Sequence, residues 1–170
     1  MALTLISTPL NITETDTAVS EVVINSGLTS SYKGYEIHII GVHSANGASG
    51  ANLKWQCNAE TGTNTTGYDQ VIQSTAVRAY HQEDGSGGEV DYRTGEDQGN
   101  GVAEEYVTEG VRSAQGDESM SAILTIYDPS STTFVKHFTV EGNTTLTAGT
   151  KHELRAGYIN TTTGIDITCP

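Results

Sequence analysis

Ser119-Met-Ser-Ala-Ile-Leu-Thr-Ile-Tyr127, then Asp128-Pro-Ser-Ser131, then Thr133-Phe-Val-Lys-His-Phe-Thr-Val140, is the stretch on which the fold turns. Met120, Ala122, Leu124 and Ile126 fall on one face of an alternating run, with Ile123, Thr125 and Tyr127 on the other. A period of two is that of a strand with one face buried. Asp128 and Pro129 then fill the first two positions of a four-residue turn, where the fixed φ of proline already suits type I. Thr133 to Val140 returns with Phe134, Lys136, Phe138 and Val140 on one face. The pattern predicts a β-hairpin.

The same alternation spreads outward. Gly34 to Val42 sets Tyr35, Ile37 and Ile39 against Glu36, His38 and Ile40, and Ala51 to Asn58 sets Leu53, Trp55 and Cys57 against Asn52, Lys54, Gln56 and Asn58. From Tyr68 to Gln82, Ile72, Ala76 and Tyr80 share a face that Ser74 and Arg78 interrupt, with Val71, Val77 and Ala79 opposite. Ala18 to Ile24, Lys151 to Ile159 and Thr163 to Thr168 complete the set, while Val102 to Val111 fits either a helical turn or a strand. Residues 83–101, acidic and holding six glycines, read as the loosest part of the chain. Eight or so short strands, spaced by about 10–15 residues, predict an all-β domain, a sandwich or barrel. Two four-stranded sheets in a jelly roll would use every strand, and an immunoglobulin-like order stays open. Residues 1–31 form an extended N-terminal arm with a first strand, and residues 32–170 form a single β-sandwich.

Composition agrees. The 170 residues include 25 Thr and 19 Gly, a balance of β-branched strand formers and turn residues. Eight Lys+Arg against 21 Asp+Glu give a net charge of −13, which disfavours nucleic acid or an anionic membrane as partner. The N-terminal Met1-Ala-Leu-Thr-Leu-Ile-Ser lacks the basic start of a secretory peptide, so synthesis in a reducing cytoplasm is expected. Cys57 and Cys169 could form one bridge, but buried free thiols are the expected state.

Motifs for chemistry are sparse. The five histidines His38, His43, His81, His137 and His152 show neither H-E-x-x-H nor H-x-H spacing, and His38 and His137 fall on the wet faces of strands. His43-Ser44 has no nucleophile elbow, and Gly85-Ser86-Gly87-Gly88 is followed by no P-loop lysine. Glu83, Asp84, Glu89, Asp91, Glu96 and Asp97 could gather around Ca²⁺, a hard ion with six to eight oxygen ligands, although their spacing matches no EF-hand. A solvated acidic loop is the expected state, and no cofactor is required. Tyr35, Trp55, Tyr68, Tyr80 and Tyr92 could offer a glycan-stacking surface, with Tyr80, His81 and Tyr92 beside the acidic loop the best placed; Trp55 belongs with the core. No catalytic residue is assigned, and the chain is not expected to be an enzyme.

Three stretches together resemble a known group: Tyr35-Glu-Ile-His-Ile-Ile-Gly-Val-His-Ser-Ala-Asn46, Val77-Arg-Ala-Tyr-His-Gln-Glu-Asp84, and Asp117 through the hairpin above to Phe138. Asp91-Tyr92 and Glu96-Asp97-Gln98 fit the same pattern. From about residue 32 onward the chain is similar to small β-rich virion structural proteins of marine tailed bacteriophages. The resemblance implies a jelly roll in the virion, made in the host cytoplasm and acting as a capsid decoration or cement protein. It also implies self-association, as a trimer, over the joints of the major capsid protein. A tail-fibre or receptor-binding module recognising host-surface glycans is the alternative. The resemblance carries no catalytic residues. Members of that group continue into a further glycine-containing strand, whereas this chain stops at Thr168-Cys169-Pro170. An open sheet edge for a neighbouring subunit is therefore expected at the C-terminus.

Overall fold

The computed structural model describes residues 3–6, 20–24, 27–45, 50–59, 67–112 and 116–169. Among the described residues eleven strands follow one another: β1 (Val22–Ile24), β2 (Gly34–Val42), β3 (Ala51–Asn58), β4 (Ile72–Gln82), β5 (Gly88–Tyr92), β6 (Gly99–Gly101), β7 (Glu105–Val111), β8 (Met120–Tyr127), β9 (Lys136–Leu146), β10 (Gly149–Ile159) and β11 (Asp166–Cys169). They form two antiparallel sheets packed as a β-sandwich. The smaller has four strands in the order β1-β11-β3-β7; the larger has seven, β2-β8-β9-β10-β4-β5, with β6 also paired to β4. The division is thus four and seven, where two sheets of four were expected.

The predicted hairpin forms. Met120, Ala122, Leu124 and Ile126 are buried, and Ser131 N–H donates to Asp128 C=O at 2.9 Å across the turn. The return strand begins later than the alternation suggested, because Lys136 is fully buried. Its ammonium donates to the carbonyls of Ser131 at 2.5 Å and of Phe134 and Thr161 at 3.1 Å. Residues 131–135 curl around that charge instead of extending, so Phe134 lies exposed and not inward as expected.

β3 has the predicted bounds, yet Gln56 and Asn58 are as buried as Trp55 and Cys57. Its second face is covered. The Gln56 amide donates to the carbonyls of Gln70, Val102 and Ala103 at 3.1–3.3 Å, which pegs two connecting segments over this end of the small sheet. Trp55 packs edge-on against Phe138, ring centroids 4.9 Å apart, and so joins the sheets at the centre of the core. Tyr35 is buried, which removes it from any exposed stacking surface.

Of residues 102–111, which fitted a helical turn or a strand, 105–111 form a strand, β7. Residues 83–101 are not the loosest part, since β5 and β6 both pair with β4. The C-terminal edge expected to be open is closed: β11 lies between β1 and β3, with Ile24↔Ile167 on one side and Ile167↔Cys57 on the other. Cys57 is a buried free thiol. The side chains of residues 166–169 and most of the N-terminal arm lie outside the described residues.

Candidate functional site

Two features carry chemistry: a charged seam between the sheets and the outward face of the large sheet. The seam starts from β10, where Lys151, Glu153 and Arg155 alternate with His152 and Leu154. The charged residues point inward and Leu154 outward, the reverse of ordinary strand patterning. Arg155 Nη2 meets Glu96 Oε2 at 2.5 Å and Glu153 Oε1 at 3.1 Å, while Nη1 donates to the Glu96 carbonyl at 2.9 Å. The Arg155 guanidinium also lies 5.4 Å from the Tyr106 ring centre. Glu153 accepts from Thr108 and lies 3.5 Å from Lys151 Nζ; Thr108 is 2.9 Å from Thr144 of β9. Lys151 donates to the Glu109 carbonyl.

Buried charge is tolerated because nearly every head group meets an opposite charge or a dipole. Burial works against the Glu96 carboxylate, but the hydrogen bonds from Arg155 and Arg93 outweigh it and hold the group down at about 2. Burial pushes Glu105 up from the ordinary carboxylate range; the Ser74 hydroxyl, donating at 2.7 Å, offsets part of that. Burial likewise lowers Lys151, against the pull of Glu153 and Glu109. The side chains of Arg155, Glu153, Lys151 and Glu96 are 1–5% exposed, so this seam is a structural ionic core rather than an open reaction centre. Ser74 and Arg78, which interrupt the apolar face of β4, do so because that face meets the seam and its rim.

The six acidic residues considered for Ca²⁺ are distributed by this arrangement. Glu89 and Asp91 pair with Arg78 at 3.0 and 3.1 Å, Asp91 and Glu96 with Arg93, and Glu96 with Arg155. Asp97 accepts from the Tyr92 hydroxyl at 2.5 Å, and Asp84 caps the turn through Ser86 N–H at 2.8 Å; Glu83 lies exposed in the same turn. Arginines therefore supply the positive charge at three of the six positions, Glu89, Asp91 and Glu96, that Ca²⁺ would need to share. Among the described residues no group of three or more His, Cys, Asp or Glu is placed to hold a metal ion. The glycan candidates do not converge either. Val77 lies opposite Tyr92 and Tyr80 opposite Glu89, so Tyr92 and His81 share the outward face while Tyr80 turns to the other.

The outward face of the large sheet is the second feature. One cross-strand row runs His38, Ile123, Glu141, Leu154, Val77, Tyr92 over six strands. Ile40, Val90 and Tyr127 extend it, so seven large hydrophobic side chains stand exposed on one face, Ile40 and Val90 at 79% and 75%. Glu36 and Glu141 are its acidic members, few for a chain of net charge −13. A shallow groove of about 360 Å³ crosses this face, bounded by His38, Ile123, Glu141, Asn143 and His152, with Gly142 among the residues lining it. His38 sits 2.9 Å from Glu36, and His152 3.6 Å from Glu141. His38 and His137 are exposed, as their strand positions predict. The sequence reading missed the seam, although Lys-x-Glu-x-Arg with alternating sign at every second residue of one strand was its visible signal.

No protein-family model, curated protein or solved structure matches the chain.

Proposed function

We propose that this chain is a structural protein of a tailed-phage particle, a decoration protein seated on the outer surface of the head and stabilising the shell through contacts with the major capsid protein and with its own copies. The observation that carries the reading is the apolar, charge-poor outward face on an otherwise strongly acidic sandwich. Core residues of protein interfaces are depleted in charge in the same way, and seven exposed large hydrophobic side chains on one sheet face favour its use as an interaction surface. The acidic remainder suits an outer surface better than one that touches packaged DNA. Leu3, Leu5 and Ile6, exposed ahead of the sandwich, give the arm apolar anchors of its own.

The strand order supports a jelly roll. The chain alternates between sheets, small for β1, β3, β7 and β11, large for β2, β4 to β6, and β8 to β10. A jelly roll likewise places its first strand beside its last in one sheet and its second beside its penultimate in the other. Here the penultimate position is taken by the three-strand meander β8-β9-β10, which preserves strand direction because three is odd.

The test is the copy number of this protein per major shell protein in purified virions, by quantitative mass spectrometry. A ratio near one, or a simple fraction of it, is expected. A handful of copies would assign it to the tail or a fibre, and absence from the particle would overturn the reading.

A further inference from the structure

We propose that the free edge of β2 pairs antiparallel with β2 of a second copy, Ile37 lying opposite its symmetry mate on a two-fold axis, so that two large sheets become one continuous sheet. The proposal is independent of the virion reading and is tested on the purified chain.

The two sheets present four edges: β1 and β7 in the small sheet, β2 and the β5–β6 side in the large one. Three of them carry features that discourage pairing. β1 is three residues long. β5 is five residues long and carries Glu89 and Asp91, both held by Arg78, and it is followed by the separate three-residue β6. β7 is bulged twice against β3 and turns through Gly110 at φ +68°. β2 is different. Its nine residues hold no proline and no lysine, and it pairs with β8 in unbroken register from Gly34 to Ile39 before the bulge at Gly41. Among the described residues nothing hydrogen-bonds to its other side. The incoming segment reaches β2 through the Tyr35 hydroxyl, which Thr29 N–H approaches at 2.9 Å, and not through its backbone.

The edge groups are identifiable. Asp128 N–H donates to Lys33 C=O at 2.8 Å, which makes that pair a hydrogen-bonded one. Antiparallel ladders alternate, so Tyr35, Ile37 and Ile39 turn their amides toward β8, and Gly34, Glu36 and His38 turn theirs outward. Side chains on the same strand tell the same story. Ile37 and Ile39 are only half-buried against the core, the condition of residues that lack a neighbour on one side.

A second copy fits this edge better than an unrelated strand because the edge is complementary to itself. With the axis at Ile37, the outward-facing N–H groups of Glu36 and His38 donate to the carbonyls of His38 and Glu36 of the mate, and their own carbonyls accept in return. The carboxylate and imidazole that already lie 2.9 Å apart within one chain are then matched twice across the interface. Ile37 meets Ile37, and Tyr35 meets Ile39, on the core side. An isologous contact of this kind closes at two subunits, in place of the three-fold arrangement that the sequence resemblance implied. It also doubles the width of the apolar outward face.

Sedimentation equilibrium on the full chain at tens of micromolar is expected to show a dimer. Glu36→Lys, at an exposed position, sets lysine against His38 twice and is expected to weaken the dimer at least about tenfold, while Glu36→Lys with His38→Glu restores it. Ile37→Cys forms a non-hydrogen-bonded pair on the axis, close enough for a disulfide, and is expected to cross-link under mild oxidation; Val90→Cys is not. A monomer or a trimer at every concentration would overturn the proposal. So would a dimer that ignores Glu36→Lys but dissociates when residues 1–25 are removed, which would assign the interface to the arm.

Discussion

Arg155 and Glu96 are bound twice over: Nη2 closes on the carboxylate at 2.5 Å, and Nη1 donates to the main-chain carbonyl of the same residue at 2.9 Å. One guanidinium of β10 thereby fixes both the side chain and the backbone of the turn after β5. This lock explains why residues 83–101, rich in glycine and acid, fold onto the sheet instead of hanging from it.

Glu96→Ala removes one of the two carboxylates that neutralise the buried Arg155 and leaves Glu153 as its remaining one. A loss of about 3–5 kcal/mol in unfolding free energy is expected, the usual cost of breaking a buried pair from one side. Urea melts at neutral pH measure it.

Acid should act through the same residue. Glu96 titrates at about 2 when folded against an ordinary value of 4.5, so its stabilisation is complete above pH 4.5 and is lost as pH falls from there toward 2. Glu105 has the opposite sign: its folded value is raised, so it favours folding at low pH, and that contribution disappears as pH rises through the raised value. Thermal melts across pH 2–8 are expected to lose most of the acid step in Glu96→Gln, while Glu105→Gln gains stability relative to the parent only at the upper end.

Lys136→Met keeps the length of the side chain but leaves the carbonyls of Ser131, Phe134 and Thr161 without their shared donor. A net loss of about 2 kcal/mol is expected, smaller than the sum of three bonds because the ammonium no longer has to be desolvated. Calorimetry would register it as a fall of about 4–8 °C in Tm.

The Cys57 thiol is raised by burial and held away from solvent. It should resist iodoacetamide in the native protein and react once the chain is unfolded, as read by peptide mapping. Rapid native labelling at Cys57 would show that the small sheet opens locally.

Gly157→Ala tests the closeness of β10 to its neighbours. An added Cβ would collide with the Gln73 carbonyl and stand 2.9 Å from the Phe138 ring. The expected cost is about 1–3 kcal/mol, measured by denaturant melts.

What the sequence determined by itself was the local part of the fold. Alternation fixed β3 and the buried face of β8, because period-two patterning is a property of neighbouring residues. Asp128-Pro129 likewise fixed the hairpin turn through the φ of one ring. Tertiary structure decided which face of a polar strand turns inward. On β10 the ordinary rule sends Lys151, Glu153 and Arg155 to water, yet they are buried, because Glu96 and Thr108, 59 and 45 residues away, supply the partners that make burial affordable. It also decided that Gln56 is covered, that Phe134 is not, and that β11 is an inner strand while β2 is an edge. Each outcome depends on which distant segment arrives alongside, and alternation along a strand holds no information about its neighbour.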